Sequence, residues 1–249
     1  MDTPSPFFAA LLAMTFVIAG LVKGVTGMGL PTIAMGLMGS IMPPATAAAL
    51  LVIPSLVTNV WQLLAGPASA RLVRRLWPMM AAVAVGTTAS TALLARIDAT
   101  LSGLALGIAL MAYAAYALWA PAWSLPPRTE RWLSPLAGLI TGIVTGATGV
   151  FVMPAVPYLQ SLRLEKDELV QALGLSFTVS TLALAAGLLA HDALPARQLG
   201  WSAAAVVPAL AGMWWGQAIR ARIGARTFRR CFLLLLCVLG LELALRPLL

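Results

Sequence analysis

One lysine is placed where a charge is expensive. Lys23 lies inside Gly20-Leu-Val-Lys-Gly-Val-Thr-Gly-Met-Gly-Leu-Pro31, and it is the only basic residue in the middle of an apolar stretch of the first half of the chain. A cation in such a setting points to function by default, and above all to an anion it could hold. The structural alternative is a lysine near a helix end that snorkels to an interface. Its neighbours Gly24, Thr26, Gly27, Gly29 and Pro31 make a poor continuous helix. A glycine costs about 1 kcal/mol in a helix interior and a proline about 3 kcal/mol. A break here would expose a helix N-terminus, whose free N–H groups and dipole attract anions. Thr145, Gly146, Thr148 and Gly149, followed by Pro154 and Pro157, form a second break of the same kind.

Polar side chains behind each break could complete a cavity. They are Ser55, Thr58, Asn59 and Gln62 in the first half, and Ser176, Thr178, Ser180 and Thr181 in the second. Asn59 and Gln62 share one helix face, and a mid-span amide is costly without a partner. The same residues could serve as interhelical hydrogen bonds, and the glycines as close-packing points. None of these segments contains Asp or Glu. A cavity of Lys23, hydroxyls and helix N-termini suits an anion rather than a cation. Proton coupling lacks an acidic relay, and Na⁺ coupling would rest on carbonyls and hydroxyls. The single histidine, His191, falls in a polar loop, so no nucleophile–base pair or metal cluster is in view. The chain reads as a non-enzyme without cofactor. Cys231 and Cys237 lie in one apolar stretch and are expected to be buried packing residues.

The elements that position these groups follow from composition. Of 249 residues, 61% are hydrophobic and 10% charged, with 16 Lys+Arg against 8 Asp+Glu. An ordinary soluble domain has about 25% charged residues. Soluble enzymes, disordered chains and nucleic-acid-binding modules are excluded by the same shortage. A bilayer-spanning helix needs about 20 mostly apolar residues, and the chain offers several. Each half gives a Gly-rich interrupted segment and three plainer spans. The first half has Phe7–Ile41, Thr46–Leu64, Leu76–Leu94 and Leu101–Trp119; the second has Leu133–Leu159, Leu169–Leu189, Leu199–Ile219 and Phe228–Leu245. Met1–Pro6 has no basic n-region, so Phe7 onward reads as a retained membrane segment. Trp77, Trp119, Trp132 and Trp201 near span ends fit an interfacial belt, whereas Trp61, Trp214 and Trp215 are expected to pack. Gln160 and Gln171 are assigned to a loop region.

The halves are copies. At an offset of 122, Gly20/Gly142, Val22/Val144, Gly24/Gly146, Thr26/Thr148 and Gly27/Gly149 are identical. At 121, Ser55/Ser176, Leu63/Leu184 and Gly66/Gly187 match, and at 126 Gly86/Gly212 and Ala95-Arg96-Ile97/Ala221-Arg222-Ile223. The division is 1–121 for the first membrane repeat, 122–133 for a cytoplasmic linker and 134–249 for the second repeat. The basic loop changes place between them. Arg71, Arg74 and Arg75 follow the second segment of one half; Arg220, Arg222, Arg226, Arg229 and Arg230 follow the third segment of the other. Cytoplasmic loops carry excess Lys/Arg, so the halves are expected to be inverted, with both termini periplasmic. Inversion needs an odd number of crossings per half, which an interrupted first segment supplies as a re-entrant hairpin or two short helices. Inverted repeats with broken helices are a transporter plan. The fold class is thus an all-α polytopic membrane protein of two inverted repeats. An exposed glycine face would also permit a homodimer.

The Gly20–Pro31 run, its echo over Gly138–Pro154, and a Gly-rich third span with an Arg-Ile turn (Arg96-Ile97, Arg222-Ile223) resemble the TauE/SafE sulfite exporter family, also called the toluene sulfonate uptake permease family. The resemblance covers nearly the whole chain. It implies a bacterial inner-membrane transporter of a sulfur-containing anion: sulfite, thiosulfate, sulfoacetate or an organosulfonate. It carries over the matching glycines, Lys23, Thr26, Pro31 and Thr148, while Val150-Phe151 departs from the Gly-rich run often seen there. The expected mechanism is alternating access at a midplane site built from both breaks. An anion channel and an intramembrane enzyme are the competing readings.

Overall fold

The computed structural model describes residues 6–119, 124–220 and 225–246. Among the described residues all regular structure is helical: α1 (Pro6–Thr26), α2 (Leu30–Gly39), α3 (Pro44–Leu64), α4 (Ser69–Arg96), α5 (Ala99–Trp119), α6 (Pro127–Thr148), α7 (Ala155–Ser161), α8 (Lys166–Ala190), α9 (Ala196–Ala204), α10 (Val206–Arg220) and α11 (Ala225–Leu245). Five of them, α1, α3, α4, α5 and α8, are long and apolar enough to cross a membrane. Together with an outer surface of exposed Leu, Ile, Val and Trp side chains, they make this an all-α polytopic membrane protein.

Both interrupted segments break in the same way. After α1, Gly27 takes φ 78°, and its N–H bonds the Lys23 carbonyl at 2.8 Å. The Thr26 hydroxyl donates to Val22 O at 2.9 Å and accepts from the Met28 N–H at 3.2 Å. After α6, Gly149 takes φ 72°, and its N–H bonds the Thr145 carbonyl at 2.7 Å. Thr148 donates to Val144 O at 2.7 Å and accepts from the Val150 N–H at 3.2 Å. A left-handed residue ends a helix without strain only when it lacks a Cβ. A hydroxyl just before it satisfies backbone groups that water cannot reach in a bilayer. Each break leads into a short helix, α2 or α7.

The helices pack in four principal pairs. α1 runs parallel to α10 and α4 parallel to α6, at backbone contact. A Cβ on Gly20 would stand 2.1 Å from Ala209 O, and one on Gly142 2.4 Å from Val83 O. The same holds for Gly24 on Met213 O (2.2 Å) and Gly146 on Thr87 O (2.4 Å), and for Gly212 on Val17 O (2.1 Å) and Gly86 on Leu139 O (2.6 Å). Each pair of contacts is related by the offsets 122 and 126 read in the sequence. The other two pairs, α3 with α8 and α5 with α11, run antiparallel. Gly107 and Gly240 meet at the second of these crossings.

Some expectations change. Gln171 is not in a loop. It is buried in α8, where its amide donates to Leu63 O (2.8 Å) and Gly66 O (2.6 Å) and accepts from the Ala68 N–H (3.0 Å). Gln160 lies in α7. Trp61, Trp214 and Trp215 are exposed rather than packed, because apolar bulk on a lipid-facing surface needs no protein cover. Cys231 is exposed and Cys237 half-buried, as α11 turns them outward. The third span of the second half divides at Ala205 into α9 and α10. Arg71, Arg74 and Arg75 belong to the first turns of α4, and α6 starts at Pro127, inside the 122–133 stretch. Arg222 and Ile223 lie outside the described residues.

Candidate functional site

Lys23 is in the last turn of α1 and only 3% exposed. It does not snorkel. Its ammonium donates to Thr58 Oγ1 at 3.1 Å and to Asn59 Oδ1. Both acceptors are neutral and sit side by side on α3. Their orientations are fixed by their other bonds. Thr58 Oγ1 donates to Pro54 O at 2.8 Å, so it must accept from Lys23. The Asn59 Nδ2 donates to Ser55 Oγ at 3.3 Å and to Thr181 Oγ1 at 3.4 Å, leaving Oδ1 as the acceptor. Thr181 in turn donates to Phe177 O at 2.7 Å. The chain Lys23–Asn59–Thr181 thus crosses from α1 through α3 to α8.

Gln62, one turn beyond Thr58, ties the break itself. Its Nε2 donates to Gly27 O at 2.8 Å and to Val170 O at 3.0 Å. With both amide protons on carbonyls, the buried Oε1 is left without a partner. A cavity of about 260 Å³ lies here, and Lys23, Gly24, Gly27 and Gln62 line it. Val170 and Met213 line further sides, and the exposed Trp61, Ala65 and Gln217 stand at its rim. No carboxylate is among the lining residues. An ammonium buried among neutral acceptors is under-compensated. The negative end of the α1 dipole supplies part of the balance, and an anion in the cavity would supply the rest. Among the described residues no cluster of His, Cys, Asp and Glu could hold a metal.

Of the expected site residues, Lys23, Gly24, Gly27, Asn59 and Gln62 come together. Thr26 does not enter this group; it caps α1. Gly29, with φ 103°, lies against Val22 and Phe232, and Pro31 is buried in the first turn of α2. The second break is elsewhere. Thr145 donates to Thr141 O at 2.7 Å, Gly146 packs on Thr87 and Ser90, Thr148 caps α6, and Gly149 faces Met35 and Ala48. On α3 the first break is level with Gln62 and the second with Ala48. These are fourteen residues apart, or about 21 Å at 1.5 Å per residue. The breaks therefore do not share one midplane site. Ser176 and Ser180 lie one turn apart on α8, both buried with hydroxyls lacking a partner. Sequence reasoning missed Val170, Met213 and Gln217. Only Gln217 carried a signal, an amide near the end of an apolar span.

The Sulfite exporter TauE/SafE family model matches residues 12–243. No curated protein and no solved structure matches the chain. Nearly the whole chain, both breaks included, falls within the match, so this is a membrane transporter and not an enzyme, and it belongs to the sulfite exporter TauE/SafE family.

Proposed function

We propose that the chain is a secondary transporter of a small, sulfur-containing anion, such as sulfite, thiosulfate, sulfoacetate or an organosulfonate, across the bacterial inner membrane. The observation that carries this reading is Lys23: a buried ammonium, bonded only to neutral acceptors, facing a cavity without carboxylates. The site centres on Lys23, Asn59 and Gln62 at the α1–α3–α8 junction rather than on both breaks. Alternating access would move the two repeats about the antiparallel α3–α8 pair, which carries Asn59, Ser176, Ser180 and Thr181. That the self-equivalent pairs α3–α8 and α5–α11 are antiparallel supports inverted repeats. The deciding experiment is uptake of labelled sulfite, thiosulfate, sulfoacetate and taurine into proteoliposomes under imposed H⁺ or Na⁺ gradients. Saturable flux of at least one anion, driven by one gradient, is expected. Flux that ignores every gradient and never saturates would assign the chain to the channel class instead.

A further inference from the structure

On its lipid-facing side Lys23's cavity has no aqueous route; the exposed Gln217 stands on another side. Its rim residue Trp61 is 64% exposed, and with Val57 and Leu64 it forms an exposed apolar strip on α3. That strip continues as a groove lined by Leu56, Val57, Val60, Trp61, Leu64 and Ala65. In a membrane protein such a surface faces acyl chains. A hydrated anion cannot enter there.

A second cavity, of about 240 Å³, lies directly behind the first break. Val170 lines both cavities; Gly27 lines the first and its neighbour Thr26 the second. What separates the cavities is therefore the Thr26–Gly27 turn and the Val170 backbone, which the Gln62 amide holds together through Gly27 O and Val170 O. The second cavity carries its own cation, Lys166, with Gln160 and Tyr113 as polar neighbours. Lys166 shares one face of α8 with Leu169, Val170 and Leu173, which also line the cavity. The nearby Glu168 turns away and pairs with Arg71. This cavity sits at the end of the bundle where Arg75 pairs with Glu130 and Arg163 bonds Ser124, the charged, water-facing end.

We propose that the two cavities are consecutive stations for one small oxyanion, Lys166 holding it at the aqueous mouth and Lys23 inside, with the Gln62 amide as the movable partition between them. The inference rests on the anion-transport reading of Lys23. Gln62 suits a partition because its present position satisfies two N–H donors and strands its Oε1.

The test reads access to the inner cavity without measuring transport. Met213→Cys places a thiol among the residues that line the Lys23 cavity, in a chain with Cys231→Ser and Cys237→Ala. The purified protein in nanodiscs is labelled with an anionic sulfonate-bearing methanethiosulfonate and with a neutral one. Gln62→Ala is expected to raise the rate for both reagents at least tenfold, and Gln62→Asn to give a smaller rise in the same direction. Lys166→Gln is expected to slow only the anionic reagent, by severalfold. Equal rates with Gln62, Gln62→Asn and Gln62→Ala would overturn the partition, and an unchanged anionic-to-neutral ratio in Lys166→Gln would overturn the outer station. Thermal melting of each variant separates these outcomes from misfolding. The transport reading fails separately: Lys23→Met that binds anions normally removes it whatever the labelling shows.

Discussion

Lys23 is bound on one side only. An ammonium has three N–H donors; Thr58 and Asn59 take two, and neither brings a negative charge. Desolvating an unpaired cation costs several kcal/mol, against about 0.3–1 kcal/mol returned by a helix C-terminus. Lys23→Met removes the charge at similar volume. The relief of desolvation offsets the orphaned Asn59 oxygen, worth about 1–3 kcal/mol. Melting temperature is therefore expected to hold or rise while anion affinity, measured by calorimetry, falls at least tenfold, or about 1.4 kcal/mol. A lower melting temperature with unchanged affinity would make Lys23 a brace between α1 and α3. Thr26→Val and Thr148→Val should behave the other way. Each loses the hydrogen bonds of its hydroxyl, about 1 kcal/mol net, so both should lower stability by similar amounts; Thr148→Val should leave the affinity alone, and a selective loss of affinity in Thr26→Val would put its hydroxyl in the outer cavity that it lines. The sequence marked Lys23, Asn59 and Gln62 because a buried charge and mid-span amides need a reason to be there. It could not tell that Thr26 is a cap rather than a further ligand, since Thr26 and Lys23 lie in one glycine-rich run and only the turn geometry separates them.

The helices owe their closest contacts to glycine. Gly24 and Gly146 hold equivalent places in α1 and α6, where a Cβ would lie 2.2 Å from Met213 O and 2.4 Å from Thr87 O. Neither neighbour can yield, because each is backbone of a packed helix. Gly24→Ala and Gly146→Ala are each expected to destabilise by about 1–3 kcal/mol or more through overpacking. Gly103 and Gly200, also helical, have nothing within 4 Å of an added Cβ; alanine there should be neutral or stabilising by up to about 1 kcal/mol. Detergent-solubilised melting curves check the contrast. If all four variants fall alike, the glycines are not acting through close approach. At this scale the breaks were legible because two glycines and a proline cannot continue a helix. The start of α8 was not. Its first turn, Lys166-Asp-Glu, reads as a polar loop, yet acidic residues there favour a helix N-terminus, and Gln171, in the second turn, became a buried tie. Repeat matching also says nothing about distance. Thr26 and Thr148 are equivalent in their own halves, which is why they seemed to belong to one site, and the packing sets them at opposite ends of α3.

The arrangement of the whole molecule follows from which helices pair. A two-fold axis exchanging the halves must map α3 onto α8 and α5 onto α11. Both pairs are antiparallel, so the axis crosses the helices and, for helices that span a bilayer, lies in its plane. Counting the short helices α2 and α7 as crossings gives five in each half, and an odd number would invert the second half. Charge agrees with this path. The N-terminal turns of α4, α6 and α8 meet at one end, where Arg71 pairs with Glu168, Arg75 with Glu130, and Arg163 bonds Ser124. The other end is near neutral: it carries Arg96, Asp98, His191, Asp192 and Arg197, along with Arg246, which pairs with Glu242 and bonds the Ser40 carbonyl. By the excess of Lys/Arg on cytoplasmic loops, the first end is expected to face the cytoplasm. A green fluorescent protein fused after α11 is therefore expected to stay dark, and alkaline phosphatase at the same point to be active. Fusions at Leu125, between α5 and α6, should give the reverse. A fluorescent fusion after α11 would overturn this orientation, and with it the placing of the Lys166 mouth and the Lys23 cavity on the cytoplasmic side; fluorescence at both points would remove the inverted path itself.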